Sequence, residues 1–139
     1  MKILFKSAMV AIACITLFIA GCSKKNAASL VGTWSRTTMH AIQKVNNVTV
    51  MDTTANVPAG STVTFTAAGH YETTDGGSSL SGGSYIQSND RLLLLDSVGN
   101  PGMNFYMHDL ADHSLTLETR DTSTTQPITV VQYFYGLTR

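Results

Sequence analysis

His108, Asp109, Asp112 and His113 fall within the six residues HDLADH, and imidazole and carboxylate are side chains that bind transition metals. The segment lies between two stretches with strand-like alternation, where Asp112 and His113 also suit a turn. A solvated hairpin is therefore expected, and no metal site. His40 and His70 are isolated in the sequence and are expected on surface strands. Glu72 and Asp75 are the closest carboxylate pair around Gly69. Acid–base catalysis would need a further partner in a cleft, and Glu72 falls on the outward side of its stretch. No Gly-x-Ser-x-Gly elbow and no phosphate loop occur. The chain is expected to be no enzyme, with no catalytic residue and no cofactor, so its function must lie in what its fold encloses or presents.

Composition narrows that fold. Beyond residue 21 there are seven Lys or Arg against nine Asp or Glu, with no basic block. Nucleic-acid binding needs clustered positive charge and is not expected. Threonine, serine and glycine are abundant, and no window after residue 29 places apolar residues at helical spacing over three turns. An all-β domain follows.

Several segments alternate as half-buried strands do. TVTFTA sets Val63 and Phe65 opposite three threonines, MNFYMH sets Met103, Phe105 and Met107 opposite Asn104, Tyr106 and His108, and SLTLETR isolates Leu115 and Leu117. Further strands are expected at residues 32–39, 45–52, 70–74, 83–88, 91–97 and 129–135. Gly69 suits a hairpin that needs a left-handed residue, Asn89-Asp90 suits a two-residue turn, and VGNPG supplies another break. Such short connections join neighbours, so the expected topology is an antiparallel up-and-down meander. Its edges are protected if about eight strands close into a barrel. Strand parity turns Phe65, Tyr71, Tyr85, Phe105, Met107 and Tyr133 inward. They would either fill the interior as a solid core or line a space for one small apolar ligand. The run from Leu92 to Leu95 breaks the alternation, so two of its leucines face outward. They are expected to lie under the segment TTANVPAGS or to form a patch for lipid or a partner.

The chain begins with Lys2 and Lys6 followed by an uncharged stretch that lasts to Lys24, the layout of an export signal. A spanning helix is the rival, but it needs about 17–25 apolar residues, which this stretch barely reaches. The tail Ile19-Ala20-Gly21-Cys22 resembles the lipobox of bacterial lipoproteins. That resemblance implies a signal peptide at residues 1–21 and a lipidated cysteine, Cys22, carrying two or three acyl chains such as palmitate. Each buried methylene contributes about 0.8 kcal/mol, so two chains or more hold firmly where one does not. Cys14 would leave with the signal, which rules out a disulfide framework. Residues 22–29 would form the lipidated cysteine and a short polar linker that spans at most about 23 Å. No acidic run follows Cys22. The implied position is the bacterial cell envelope, at the outer membrane and facing the periplasm.

Within residues 30–139, LVGTW resembles the Gly-x-Trp opening of the lipocalin and wider calycin barrels. TFTAAGHYE and GGSYIQSNDRLLLL look like the two hairpins of small bacterial lipocalin-like lipoproteins. The resemblance implies that Trp34 plugs one end of the barrel and that Arg139 packs over it. It further implies a non-catalytic protein that binds or carries a small apolar ligand, with an outer-surface interaction module for an unknown envelope protein as the alternative. The chain is much shorter than a full-size lipocalin and shows no C-terminal helix pattern.

Overall fold

A computed structural model describes residues 28–139. The expected signal peptide, Cys22 and most of the linker lie outside the described residues. Nine strands form one antiparallel sheet: β1 (Gly32–Val45), β2 (Val48–Asn56), β3 (Thr62–Phe65), β4 (His70–Asp75), β5 (Ser78–Ser88), β6 (Arg91–Leu95), β7 (Pro101–His108), β8 (Ser114–Thr122) and β9 (Thr129–Thr138). From β3 to β9 each strand pairs with the next, and β9 pairs back onto β1. Eight strands thus close into the expected barrel.

The ninth strand, β2, does not belong to the wall. On one edge of β1, Gly32 to Ser35 pair with β3 and Thr38 to Val45 pair with β2, while the other edge is held by β9 from Ser35 to Val45. The long β1 therefore serves the barrel with its first part and an extension with its second. All nine residues of β2 are exposed, so burial gives this strand no inward face. Its hairpin turn is Asn46-Asn47, both with positive φ (49° and 66°). Those dihedrals suit the primed two-residue turns that match strand twist. The turn comes later than the sequence pattern implies, because apolar alternation alone did not mark it.

Inward alternation builds the core as expected. Val63 and Phe65 of β3, Phe105 and Met107 of β7, and Leu115 and Leu117 of β8 are buried with Leu30, Trp34, Leu92 and Leu137. The leucine run divides by parity. Leu92 is fully buried, Leu94 faces the interior, and Leu93 and Leu95 are only half-buried on the outer face. The segment expected to cover them packs elsewhere. Thr74 donates its hydroxyl hydrogen to the Gly60 carbonyl, Val57 N–H donates to the Thr37 carbonyl at 2.9 Å, and Arg36 N–H donates to the Ser61 carbonyl at 2.9 Å. That segment is thus fixed on β1 and β4, away from β6.

One end of the barrel is shut. Trp34 is fully buried, and its indole N–H donates to the Leu30 carbonyl at 2.8 Å. The Arg139 guanidinium carbon lies 4.3 Å from the centre of the Trp34 ring, a cation–π distance. Arg139 also donates through Nη1 to the Val31 carbonyl at 2.9 Å and through Nε to the Asp112 carbonyl. Gly32 makes room for this. Its φ is +141°, and a Cβ there would stand 2.9 Å from Arg139 Nη1. A side chain would be strained by the backbone and would displace the guanidinium. Truncation of Trp34 to alanine is expected to cost about 3–5 kcal/mol, the range for a large buried aromatic. Urea unfolding followed by circular dichroism measures it, and a loss under about 1 kcal/mol would mean that the plug contributes little.

Candidate functional site

Above the plug the barrel is not filled. A cavity of about 360 Å³ is lined by residues from all eight barrel strands and by none from β2. Its lower wall is made of Phe65, Phe105, Leu117 and Leu137, all buried. Leu80 and Met103 also line it, yet they are 61% and 58% exposed, which places them at the mouth. The mouth is therefore at the end where β4 turns into β5 and β6 into β7, opposite Trp34. Small residues, Thr73, Ser81 and Gly102, complete this upper level.

Polar groups in the lining are few and differ in how they are satisfied. Asp96 follows β6 at the rim and is fully engaged by its own turn. One carboxylate oxygen accepts from the N–H of Val98 at 3.0 Å and of Asn100 at 2.8 Å, and the other accepts from the Asn100 amide at 3.0 Å. The Asn100 bonds hold the Asp96 carboxyl below the usual aspartate value. Tyr135 of β9 is different. Burial, with Tyr133 nearby, raises its phenol above the ordinary value of 10.0 while the Arg36 charge acts the other way. Tyr135 thus keeps its proton at neutral pH, and no hydrogen bond involves its hydroxyl among the described residues. Arg36 of β1 donates from Nη2 to the Thr74 carbonyl at 2.9 Å, but its Nε is buried with no partner.

Of the six residues that parity turned inward, Phe65, Tyr71 and Phe105 line the cavity. Met107 lies in the buried core, and Tyr85 packs against that core with its ring edge-on to Phe65 at 5.1 Å and its hydroxyl donating to the Thr66 carbonyl at 2.8 Å. Tyr133 stands opposite Ala41 and Thr119, one inward position before Tyr135 on β9, and outside the cavity lining. Trp34 and Arg139 meet at the closed end. Sequence reasoning missed Arg36, Tyr135, Leu94 and Leu117 as lining residues. The i, i+2 relation of Trp34 to Arg36 and of Tyr133 to Tyr135 was the available signal, but a charged side chain is not expected inside a barrel.

The histidine-rich segment separates. Nε2 of His108 is 2.9 Å from Glu118, whereas Nδ1 of His113 is 3.1 Å from the Arg139 carbonyl oxygen. Among the described residues no three His, Cys, Asp or Glu side chains come together as a metal site. Glu118 instead centres a polar cluster on the outside of the wall. It is only 8% exposed and accepts from Gln132 at 2.9 Å and from Arg120 at 3.2 Å in addition to His108. The eight-stranded antiparallel barrel is compatible with a lipocalin-like fold. No protein-family model matches the chain, and no curated protein matches it either.

Burial pushes the Glu118 carboxyl up, but the hydrogen bonds from Gln132, His108 and Arg120, with the Arg120 charge, outweigh it and hold the group below 4.5. A carboxyl with a lower value folded than unfolded stabilises the fold above its unfolded value, and that contribution is lost as the pH falls through the folded one. Denaturant stability is therefore expected to decline on acidification below about pH 4.5, the ordinary range for glutamate. Glu118→Gln should be less stable at neutral pH and should show a shallower acid decline. An unchanged pH slope in that variant would remove Glu118 as the cause.

Proposed function

We propose that this protein is a lipid-anchored, lipocalin-like carrier of the bacterial envelope that holds one small apolar molecule inside its barrel. The observation that carries this reading is the cavity itself. Its volume, about 360 Å³, is in the range of small-molecule sites, about 300–1,000 Å³. Its lower wall is aromatic and aliphatic, so a bound molecule would be retained mainly by surface removed from water, at about 25 cal/mol per Å². The barrel supplies enclosure, and the role proposed is binding without catalysis. The apolar mouth formed by Leu80 and Met103 gives such a molecule a route in from a membrane surface. The anchor proposed for that placement is an acylated Cys22, at the outer membrane on its periplasmic side.

Native mass spectrometry of the full chain, released from detergent micelles, tests the carrier reading. The protein is expected to retain or take up a single hydrophobic compound from a lipid extract. Phe105→Ala should shift the choice towards bulkier or longer compounds, because it enlarges the lower cavity. A barrel that stays empty in both forms overturns the reading and favours an interaction module acting through its outer surface. The anchor is tested separately. Cys22→Ala should move the protein from the membrane to the soluble fraction. Continued sedimentation of an unprocessed chain would point instead to a spanning segment.

A further inference from the structure

β2 is held along one edge only. It is the end strand of the sheet, and among the described residues its strand partner is β1 alone. Val57, just beyond β2, donates its N–H to the Thr37 carbonyl at 2.9 Å. Alternation along an antiparallel ladder then turns the backbone groups of Thr53 and Ala55 towards β1 and those of Asp52, Thr54 and Asn56 away from it. No other strand among the described residues meets these outward N–H and C=O groups. Natural edges of this kind are blunted by lysine, proline or a bulge. β2 contains neither lysine nor proline. Its bulge is at Val50, since Thr49 pairs with Lys44 and Met51 with Gln43, and from Met51 to Asn56 the register is unbroken. All these residues are exposed, and the only charge on the strand, Asp52, lies 2.7 Å from His40 Nε2.

We propose that this edge pairs with the same edge of a second copy of the chain to make a two-fold dimer. A two-fold axis through a sheet edge makes the new pair antiparallel and the contact self-complementary. The regular stretch from Met51 to Val57 has Thr54 at its midpoint. With the axis there, Thr54 meets Thr54, and Asp52 of each copy meets Asn56 of the other. The outward backbone groups of these three residues become the hydrogen-bonded pairs of the new ladder, and each carboxylate faces an amide that can donate to it. On the opposite face Met51 meets Val57 and Thr53 meets Ala55. An axis at Asp52 would instead set two carboxylates directly opposite, which is destabilising. The order of side chains thus selects one register. The contact is small and belongs with weak, transient interfaces. It does not depend on what the barrel holds.

Sedimentation equilibrium of the full chain, in a density-matched detergent with micelles in large excess, tests the pairing. A reversible monomer–dimer equilibrium is expected, with a Kd of about 1–100 µM. Thr54→Pro removes an outward N–H and no bond to β1, and proline is tolerated on an edge of this kind. It should weaken the dimer about tenfold or more, because both copies lose a ladder bond. The register is tested at Asn56. Asn56→Lys places an ammonium opposite each Asp52 and should tighten the dimer, whereas Asn56→Asp sets carboxylate against carboxylate and should loosen it, each by roughly twofold to thirtyfold. Ile86→Ser, at an exposed apolar position on β5, should change nothing. Should circular dichroism show that Thr54→Pro does not fold, the two Asn56 variants still decide the matter. A chain that stays monomeric up to about 100 µM overturns the proposal. So does a dimer that folded Thr54→Pro leaves intact, or one that Ile86→Ser dissolves. A dimer that responds alike to Asn56→Lys and Asn56→Asp overturns the pairing on Thr54.

Discussion

The pairing of β1 with β9 is the constraint on which the rest of the structure depends. Eight strands joined only to their sequence neighbours would form an open sheet with two long edges, each offering unpaired backbone groups to other chains. The β1–β9 ladder, from Ser35–Thr138 to Val45–Thr129, closes that sheet. It also brings the two ends of the domain together, so that Arg139, next after β9, reaches Trp34, near the start of β1. Closure and plugging are therefore one event. The residues that seal the base cannot meet until the last strand is in place, and once they meet they lock that strand against the first.

The same ladder explains why β1 is longer than any other strand. Its first part is wall and its second part carries the β2 hairpin beyond the rim, so one strand spans both the closed end and the open end. Where the two parts join, the register with β9 shifts between Arg36 and Thr38. Bulges re-aim side chains and gather at barrel rims. Here the irregularity sits beside Arg36, whose Nε is buried without a partner among the described residues. On the outer face the upper extension is held by polar and stacked contacts instead of a core. His40 lies 5.7 Å from the Phe134 ring and 2.7 Å from Asp52.

What could be read in the sequence was what strict alternation encodes. Val63 with Phe65, Phe105 with Met107, and Leu115 with Leu117 report inward faces directly, because a period of two admits only one assignment when the opposite face is Thr, Asn or Glu. Gly69 marked its turn because a left-handed residue was needed there, and its φ is +80°. The exclusion of β2 was not legible. Its segment alternates well enough, but whether a strand joins a wall depends on which edge of β1 remains free, and that is a property of the closed sheet. Tyr133 against Tyr135 shows a second limit. Both share a face, and only the height of β9 against the cavity separates them. Arg36 shows a third, since a charged residue between a buried tryptophan and exposed threonines reads as surface until the barrel is closed around it.

The cavity follows from how the upper wall is built. Large side chains fill the lower barrel, from Trp34 through Phe65 to Phe105, and an eight-stranded interior has little room left once they are in place. Higher up, the inward positions are Thr73, Ser81 and Gly102, and the ladders slip between Thr73 and Thr74 and between Leu93 and Leu95. On the unshifted β5–β6 ladder, beside the Ser84–Leu95 pair, Gly83 lies so near the Leu95 carbonyl that no Cβ would fit between them. The wall is thus pinched there and lined with small side chains around it, and the alternation that fills the base cannot fill the level above. The resulting space has aromatic and aliphatic walls, with Arg36 and Tyr135 among its lining residues. Large inward side chains pack the base, and small ones above them leave the open half of the barrel unfilled.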